Sequence, residues 1–546
     1  MKSCRKLTCC FVVIGIELAT LVGNHRLAAA PDSAVTSSPS AATAIKELRR
    51  KASDRRRRII INNDGNDTTR GLPQVTEKNL LDERTTMLAG TQVDCLCYCP
   101  QSVGLDVFTH FTKIGTIFTA QEDIFAENQM QEFVEKGIDP LRVMIDFGKQ
   151  HDIEVFWSMR MNDTHDASSH EYGRVLLQAN RFKAAHPEYM LGTAKSRPKH
   201  GAWTALDYGR PEVRERVFRL VEEVCLNYDI DGVELDFFRH PVFFQSTSRG
   251  EQVTDEERAA MTELMARIRK MADEVGQSRG RPILIAVRTP DSAEYCRAIG
   301  LDLERWMADD LIDLYLPAGY FQLNEWDESV ALGHKYGVKV YPSLDESRVR
   351  DESGRTKRTT NRAFRARAAD AWRAGADGIY LFNFPEFHKT DNSLLREMGS
   401  PQVLASLDKD YFGSVRGVVN AAGGNLPYGP YMKLETLNPD NPKKIQPGAT
   451  ATARISLSED VQQSAPGKLK LRLKVLGVPA DQRIRVALNG KRLVAKPVGD
   501  GWFESVPASS NLRAGRNTVA VALPTGANQA ATWSDAVLEV RQATDR

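Results

Sequence analysis

The stretch Asp231-Gly232-Val233-Glu234-Leu235-Asp236-Phe237-Phe238-Arg239-His240-Pro241 decides the fold. It predicts a strand from Gly232 to Phe237, opened by a glycine and closed before a proline. Strand period puts Glu234 and Asp236 on one face. If that face is the barrel lumen, two acids inside a core are costly without partners, which argues for a functional role; the alternative is acids satisfied by Arg or Lys in the lumen. Outward from it, short β-branched runs recur: Ile59 to Asn62, Val93 to Cys99, Glu154 to Met159, Ile283 to Arg288, Leu314 to Pro317, Val338 to Pro342 and Gly378 to Phe382. With the first, that makes eight, the number a closed parallel barrel requires. No glycine-rich phosphate loop follows the first run, which argues against a doubly wound sheet.

The intervening segments carry helix punctuation. Pro211 opens one helix, with Val213, Val217, Leu220, Val221 and Val224 on one face. Thr254 and Glu257 form a capping box before the stripe Met261, Leu264, Met265, Ile268 and Met271, and Gly276 is expected to end that helix. Asn361 and Gly375 bracket another. Beyond Tyr411 the helical period stops. Alternating runs such as Leu469 to Leu473, Ile484 to Leu488 and Val519 to Leu523, with Asn489-Gly490 as a hairpin turn, predict a β-sandwich of jelly-roll type.

The expected organisation of the 546 residues is therefore a signal peptide over 1–30 and a disordered linker over 31–57. A (β/α)₈ TIM barrel follows over 58–412, then an irregular bridge over 413–445 and a small all-β sandwich over 446–546. Lys2, Arg5 and Lys6, the apolar run Phe11 to Val22 and Ala28-Ala29-Ala30 have the order of an export signal, so the mature chain is expected outside the cytoplasm with no membrane span. A formal charge of +2 gives no footprint for nucleic acid. Cys95, Cys97, Cys99, Cys225 and Cys296 are too few and too unevenly placed for a disulfide framework. The first three alternate along one strand without a histidine, a weak zinc set, so neither metal nor cofactor is expected.

Polar residues at the C-terminal ends of barrel strands are the candidates for chemistry. Asp64 follows the first strand; a turn or calcium-loop role is the alternative there. Arg160 ends the third strand and His165 lies just beyond it. Asp236 ends the fourth, with Glu234 one turn of the pleat deeper, where structural and functional roles weigh about equally. Arg239, Arg288, Tyr320 and Asn383 follow at later strand ends, as do Asp345, Glu346 and Glu386. Arginine forks suit a carboxylate or sulfate, a histidine can move protons near neutral pH, and Trp157, Trp203, Tyr320, Phe321 and Trp326 could stack on sugar rings.

Two resemblances follow from these motifs. The run Leu206-Asp207-Tyr208-Gly209-Arg210-Pro211-Glu212-Val213-Arg214, the opening stretch, and Ile312-Asp313-Leu314-Tyr315-Leu316-Pro317 resemble the bacterial glycosyl-hydrolase-like family 10 barrels over residues 150 to 330. That implies a TIM barrel with a glycosidase-like site; Asp236-Phe237 departs from the commoner Asp-Asp pair. Asp64, His165, Arg160, Arg239 and Asn383 also occupy places similar to those used by TIM-barrel inverting exo-α-sialidases. Three functions stay open: a hydrolase of an acidic sugar, a retaining hydrolase of neutral glycans with two close carboxylates, and a non-catalytic glycan-binding or cell-surface protein. The expected partner in each is an oligo- or polysaccharide or glycoconjugate.

Overall fold

The structure is a computed structural model that describes residues 41–101, 104–344, 349–384, 392–416, 425–464, 466–479 and 483–543. The expected signal peptide and the candidates Asp345, Glu346 and Glu386 lie outside the described residues.

Eight parallel strands form one curled sheet: β1 (Ile59–Asn63), β2 (Val93–Tyr98), β3 (Glu154–Arg160), β4 (Gly232–Asp236), β5 (Leu284–Thr289), β6 (Leu314–Pro317), β7 (Lys339–Val340) and β8 (Ile379–Leu381). Neighbours pair in chain order, and β8 returns to pair with β1 through Ile59↔Ile379. Just past β7, a parallel Ser343–Tyr380 bridge and the Tyr380 N–H to Pro342 O bond (2.9 Å) join the remaining edges. This is the arrangement of a TIM-barrel-like fold. Alternation sorts the side chains. Ile60, Cys95, Cys97, Phe156, Leu284, Leu314 and Tyr380 form an inner cluster, while Ile59, Ile61, Val233 and Leu235 join the outer core.

α1 (Ala41–Ser53) packs against the helix Asp255–Arg279, and the outer core is shared with α2 (Glu77–Arg84), α3 (Pro140–His151), α4 (Pro211–Asn227), α5 (Asp255–Arg279), α6 (Leu303–Ala308), α7 (Trp326–Lys335), α8 (Asn361–Arg373) and α9 (Pro401–Ala405). Pro211 starts α4 as expected, and Thr254 and Glu257 make the reciprocal capping box of α5.

Three sequence expectations are corrected. Residues 41–53 are helical, not part of a disordered linker: Ile45 and Arg49, one turn apart, are both buried. The Arg49 guanidinium lies 3.1 Å from Asp273 and 3.0 Å from Asp313. Gly276 does not end α5; the helix runs on to Arg279 and closes at Gly280, whose φ is +67°. Gly276 is instead the contact point for α1, where an added Cβ would sit 3.2 Å from Ile45 Cδ1. Finally, β9 (Lys409–Phe412) belongs not to the parallel layer but to the antiparallel layer that follows, because it pairs with the last strand of the chain.

The C-terminal residues supply β10 (Lys443–Ile445), β11 (Thr450–Leu457), β12 (Lys468–Leu476), β13 (Arg485–Leu488), β14 (Lys491–Leu493), β15 (Lys496–Gly499), β16 (Trp502–Ser505), β17 (Gly515–Ala522) and β18 (Ala531–Arg541). They form two antiparallel sheets, β9-β18-β12-β16-β15 with β10 on β18, and β11-β17-β13-β14. Their inward residues, among them Ile455, Leu473, Val486, Val521, Trp533 and Leu538, share one apolar cluster that takes in Ala366 of α8. Asn489 and Gly490 turn the β13–β14 hairpin with φ of +50° and +80°, as their sequence requires.

Candidate functional site

Asp64, Arg160, His165, Asp236, Arg239, Arg288, Tyr320 and Asn383 meet at the C-terminal end of the parallel strands, with Glu234 one layer below, whereas the expected stacking residues Trp157, Phe321 and Trp326 are buried in the outer core. Arg160, the last residue of β3, sends one guanidinium nitrogen to Asp64 and the other to Asp163 (3.2 Å). Asn383, just past β8, donates to the second Asp64 oxygen at 2.9 Å. Asp163 accepts from the His165 ring at 2.7 Å and from the His165 backbone N–H at 3.0 Å. The far ring nitrogen of His165 faces the Arg239 guanidinium at 2.7 Å. A guanidinium only donates, so His165 Nε2 accepts and its proton is on Nδ1, directed at Asp163.

The floor beneath is made by β4 and β5. One Asp236 oxygen accepts from the backbone N–H groups of Phe238 (2.9 Å) and Arg239 (3.0 Å), the other from Arg288 (3.0 Å). Arg288 is fully buried and lies flat on Phe382, 4.0 Å from the ring centre. Tyr320 lies 4.8 Å from Arg239 and 5.8 Å from Arg288, ring centre to guanidinium carbon. Gly319 has no alternative there, since a Cβ would come within 2.5 Å of Arg288 and 2.6 Å of Phe238. Glu234 lies one layer deeper, fully buried, accepting from Tyr380 at 2.6 Å and from Asn62 at 3.4 Å.

Exposure separates the mouth from the floor. The His165 side chain is 23% exposed and Asp64 13%, whereas Asp236 is at 2% and Arg288 at 0%. Arg239, His240, Tyr320 and Asn383 are half-buried. Three non-glycine residues just beyond alternate strands hold positive φ: His240 (+60°) after β4, Ala318 (+68°) after β6 and Asn383 (+51°) after β8. Strain of this kind, repeated around one rim, is what a site fixed by its surroundings stores.

The electrostatics follow from the same contacts. Burial alone would raise the Asp163 carboxyl, but His165 and Arg160 outweigh it and hold it well below the usual range. Burial and then the Asp236 charge push Glu234 up. Burial and then Arg239 push His240 well down, in keeping with its Nδ1 accepting from the Thr164 N–H at 3.2 Å.

Sequence reasoning missed Asp163 and His240. Asp163 stands two residues before His165 and three after Arg160, a spacing at which a short acid can bond both, and that was the available signal. His240 is marked only by its place between Arg239 and Pro241. Among the described residues no cluster has the make-up of a metal site, and no helix is long and apolar enough to cross a membrane.

Comparison with solved structures gives distant similarities. The chain is similar to a cycloisomaltooligosaccharide glucanotransferase from Paenibacillus sp. (8% identity, 89% of this chain and 57% of that one, TM-score 0.35). It is similar to the PgaB (BpsB) glycoside hydrolase domain from Bordetella bronchiseptica (9% identity, 63% and 99%, TM-score 0.39). A third is a glycoside hydrolase family 18 N-acetylglucosaminidase from Paenibacillus barengoltzii (12% identity, 64% and 99%, TM-score 0.36). The chain thus spans a little over half the length of the first of these. No curated protein matches it. In sequence, residues 116–273 match the family described as glycosyl hydrolase-like 10.

Proposed function

We propose that this chain is an exported glycoside hydrolase that cleaves the glycosidic bond of an acidic sugar in a closed (β/α)₈ barrel. One observation carries the reading: Arg160, Arg239 and Arg288 converge on one strand-end mouth together with Asp64 and His165. Arg160 and Arg288 are paired with Asp64, Asp163 and Asp236, whereas Arg239 faces the uncharged His165 nitrogen, so its fork suits a carboxylate or sulfate brought in by the substrate.

In this reading the substrate anion is drawn to Arg239 beside the ring of Tyr320, above the buried Arg288–Asp236 pair. Arg239 then leaves His165 Nε2 for the anion and frees that nitrogen to carry a proton. Asp163 stays behind the ring and stabilises the imidazolium, so His165 protonates the departing oxygen. Asp64, positioned by Arg160 and Asn383, takes a proton from the attacking water. A water between base and sugar makes the reaction inverting. Asp236 places Arg288 and the Arg239 backbone, and Glu234 with Tyr380 supports that floor from below.

A hydrolysis screen across sialosides, uronides, sulfated glycans and neutral aryl glycosides tests this. Turnover is expected on an acidic class, with Asp64→Asn and His165→Ala each lowering kcat by about 10²–10⁴-fold. Turnover on neutral glycosides alone overturns it.

A further inference from the structure

A cationic loop stands beside the mouth and takes no part in the mechanism above. Residues 190–206 form a hairpin-like excursion, closed by the antiparallel bridge Met190↔Leu206 and by the Leu191 N–H to Ala205 O bond of 2.7 Å. Its tip turns through Thr193–Ser196, with Thr193 N–H to Ser196 O at 3.0 Å and Ser196 N–H to Thr193 Oγ1 at 2.9 Å. Along it run Lys195, Arg197 and Lys199, all exposed, and the half-buried His200.

None of Lys195, Arg197 and Lys199 pairs with an acid among the described residues, as is also true of the exposed Arg485, Lys491, Arg492 and Lys496 of the antiparallel sheets; what sets the loop apart is its place in the chain between β3 and α4, on the strand-end side. The loop is also tied to the two loops that carry the site. Asn162, two residues past Arg160, accepts from the Leu206 N–H at 2.9 Å and donates to Leu206 O (3.0 Å) and Val242 O (2.7 Å). Gly201 packs so closely on Val242, three residues past Arg239, that a Cβ there would lie 2.9 Å from the valine Cβ. The base of the loop is therefore fixed to the segments that follow β3 and β4, so its cations are carried on the same face of the sheet as the mouth.

We propose that this loop is a binding surface for a polyanionic glycan, so that the substrate is an acidic polysaccharide whose further charged residues lie across Lys195, Arg197 and Lys199 while one unit occupies the mouth. The inference rests on the acidic-sugar reading of that mouth. Unpaired charge at a rim raises the local concentration of an oppositely charged polymer, and the effect weakens as salt screens it.

The test is equilibrium binding of the full chain to polygalacturonate, polysialate and chondroitin sulfate, with dextran as the neutral control. The wild type is expected to bind at least one polyanion, less tightly as NaCl rises from about 50 to about 500 mM, and to ignore dextran. The triple variant K195Q/R197Q/K199Q is expected to weaken that binding tenfold or more, with unchanged thermal unfolding and unchanged kcat on a short acidic aryl glycoside. The charge-keeping variant K195R/K199R is expected to bind like the wild type. Wild-type affinity in the triple variant, or no polyanion binding by the wild type, overturns the proposal. Failure of the underlying reading shows differently: polymer binding persists, but no acidic glycoside is hydrolysed.

Discussion

Asp163 is wholly buried between Arg160 and His165, and both of those neighbours depend on its charge. Asp163→Asn keeps the shape but removes the charge that fixes the ring proton on Nδ1. In the proposed reaction kcat is expected to fall by about 10²–10⁴-fold, with a changed pH profile and a retained fold. The stability consequence has a definite sign. A carboxyl held below its unfolded value stabilises the fold above about pH 4, and that contribution is lost as pH falls through the depressed value. Urea melts at pH 7 and pH 3 should show the wild type losing more stability than Asp163→Asn. Glu234 is the opposite case. Its raised value means that ionisation at neutral pH costs stability, and the cost disappears as pH falls through the folded value. Glu234→Gln, which keeps the Tyr380 bond, should match or exceed wild-type stability at pH 7. Glu234→Ala, which strands the Tyr380 hydroxyl and leaves a cavity, should lose about 2–5 kcal/mol. At this scale the sequence told which residues stand at strand ends, because period and punctuation fix that. It could not tell mouth from floor: Asp64 and Asp236 read alike in one dimension and differ only in what surrounds them.

Elements were legible where one face is buried and the period is regular. The strands of the parallel sheet lie within a residue or two of their expected bounds, because each is a short run buried on both faces and bounded by turn residues. The helix α1 was not legible, since its composition is polar and only Ile45 and Arg49 turn inward. Its place comes from ion pairing at long range, Arg49 with Asp273, Asp310 and Asp313, which no local pattern announces. Arg49→Ala would remove the cation those carboxylates share, leaving Asp273 and Asp313 to Arg269 and Asp310 to Lys46, and should destabilise the chain by about 1.5–3 kcal/mol, measured by denaturant titration. The loop after β6 is held in a similar way. The Asp291 carboxylate accepts from the backbone N–H groups of Leu323 (2.9 Å) and Asn324 (2.7 Å). Burial raises Asp291 to about 6, against the lowering effect of those bonds. Between about pH 4 and 6 the folded chain therefore binds a proton that the unfolded chain does not, and stability from this group rises as pH falls through that window. Asp291→Asn should flatten that part of the stability profile; an unchanged slope would remove Asp291 as its source.

The parallel layer and the antiparallel sheets read as separate segments in sequence because their periods differ, yet buried contacts bind them into one cooperative body. Arg358, just before α8, makes two bonds to Asp535 of β18, 3.0 and 2.6 Å long, with both side chains out of water. The same guanidinium donates to Ser414 O at 2.8 Å. Ser456 of β11 donates to Asp370 of α8 at 2.6 Å, Arg516 of β17 reaches Glu325 at the head of α7, and Ala366 of α8 lies in the core of the antiparallel sheets. An uncompensated arginine at such a seam costs about 3–5 kcal/mol, a large fraction of the stability of a typical domain. Asp535→Ala should therefore lower the unfolding temperature of the entire chain. Scanning calorimetry should give one transition in both proteins, with calorimetric and van't Hoff enthalpies in agreement. A chain ending at residue 407 should unfold at lower temperature still, since it exposes the apolar side of α8 and leaves Arg358 buried without its acid. Two transitions in the wild type, with Asp535→Ala moving only one of them, would mean that the seam is a contact between independently folding bodies and that the strand-end site owes nothing to the sheets beyond it.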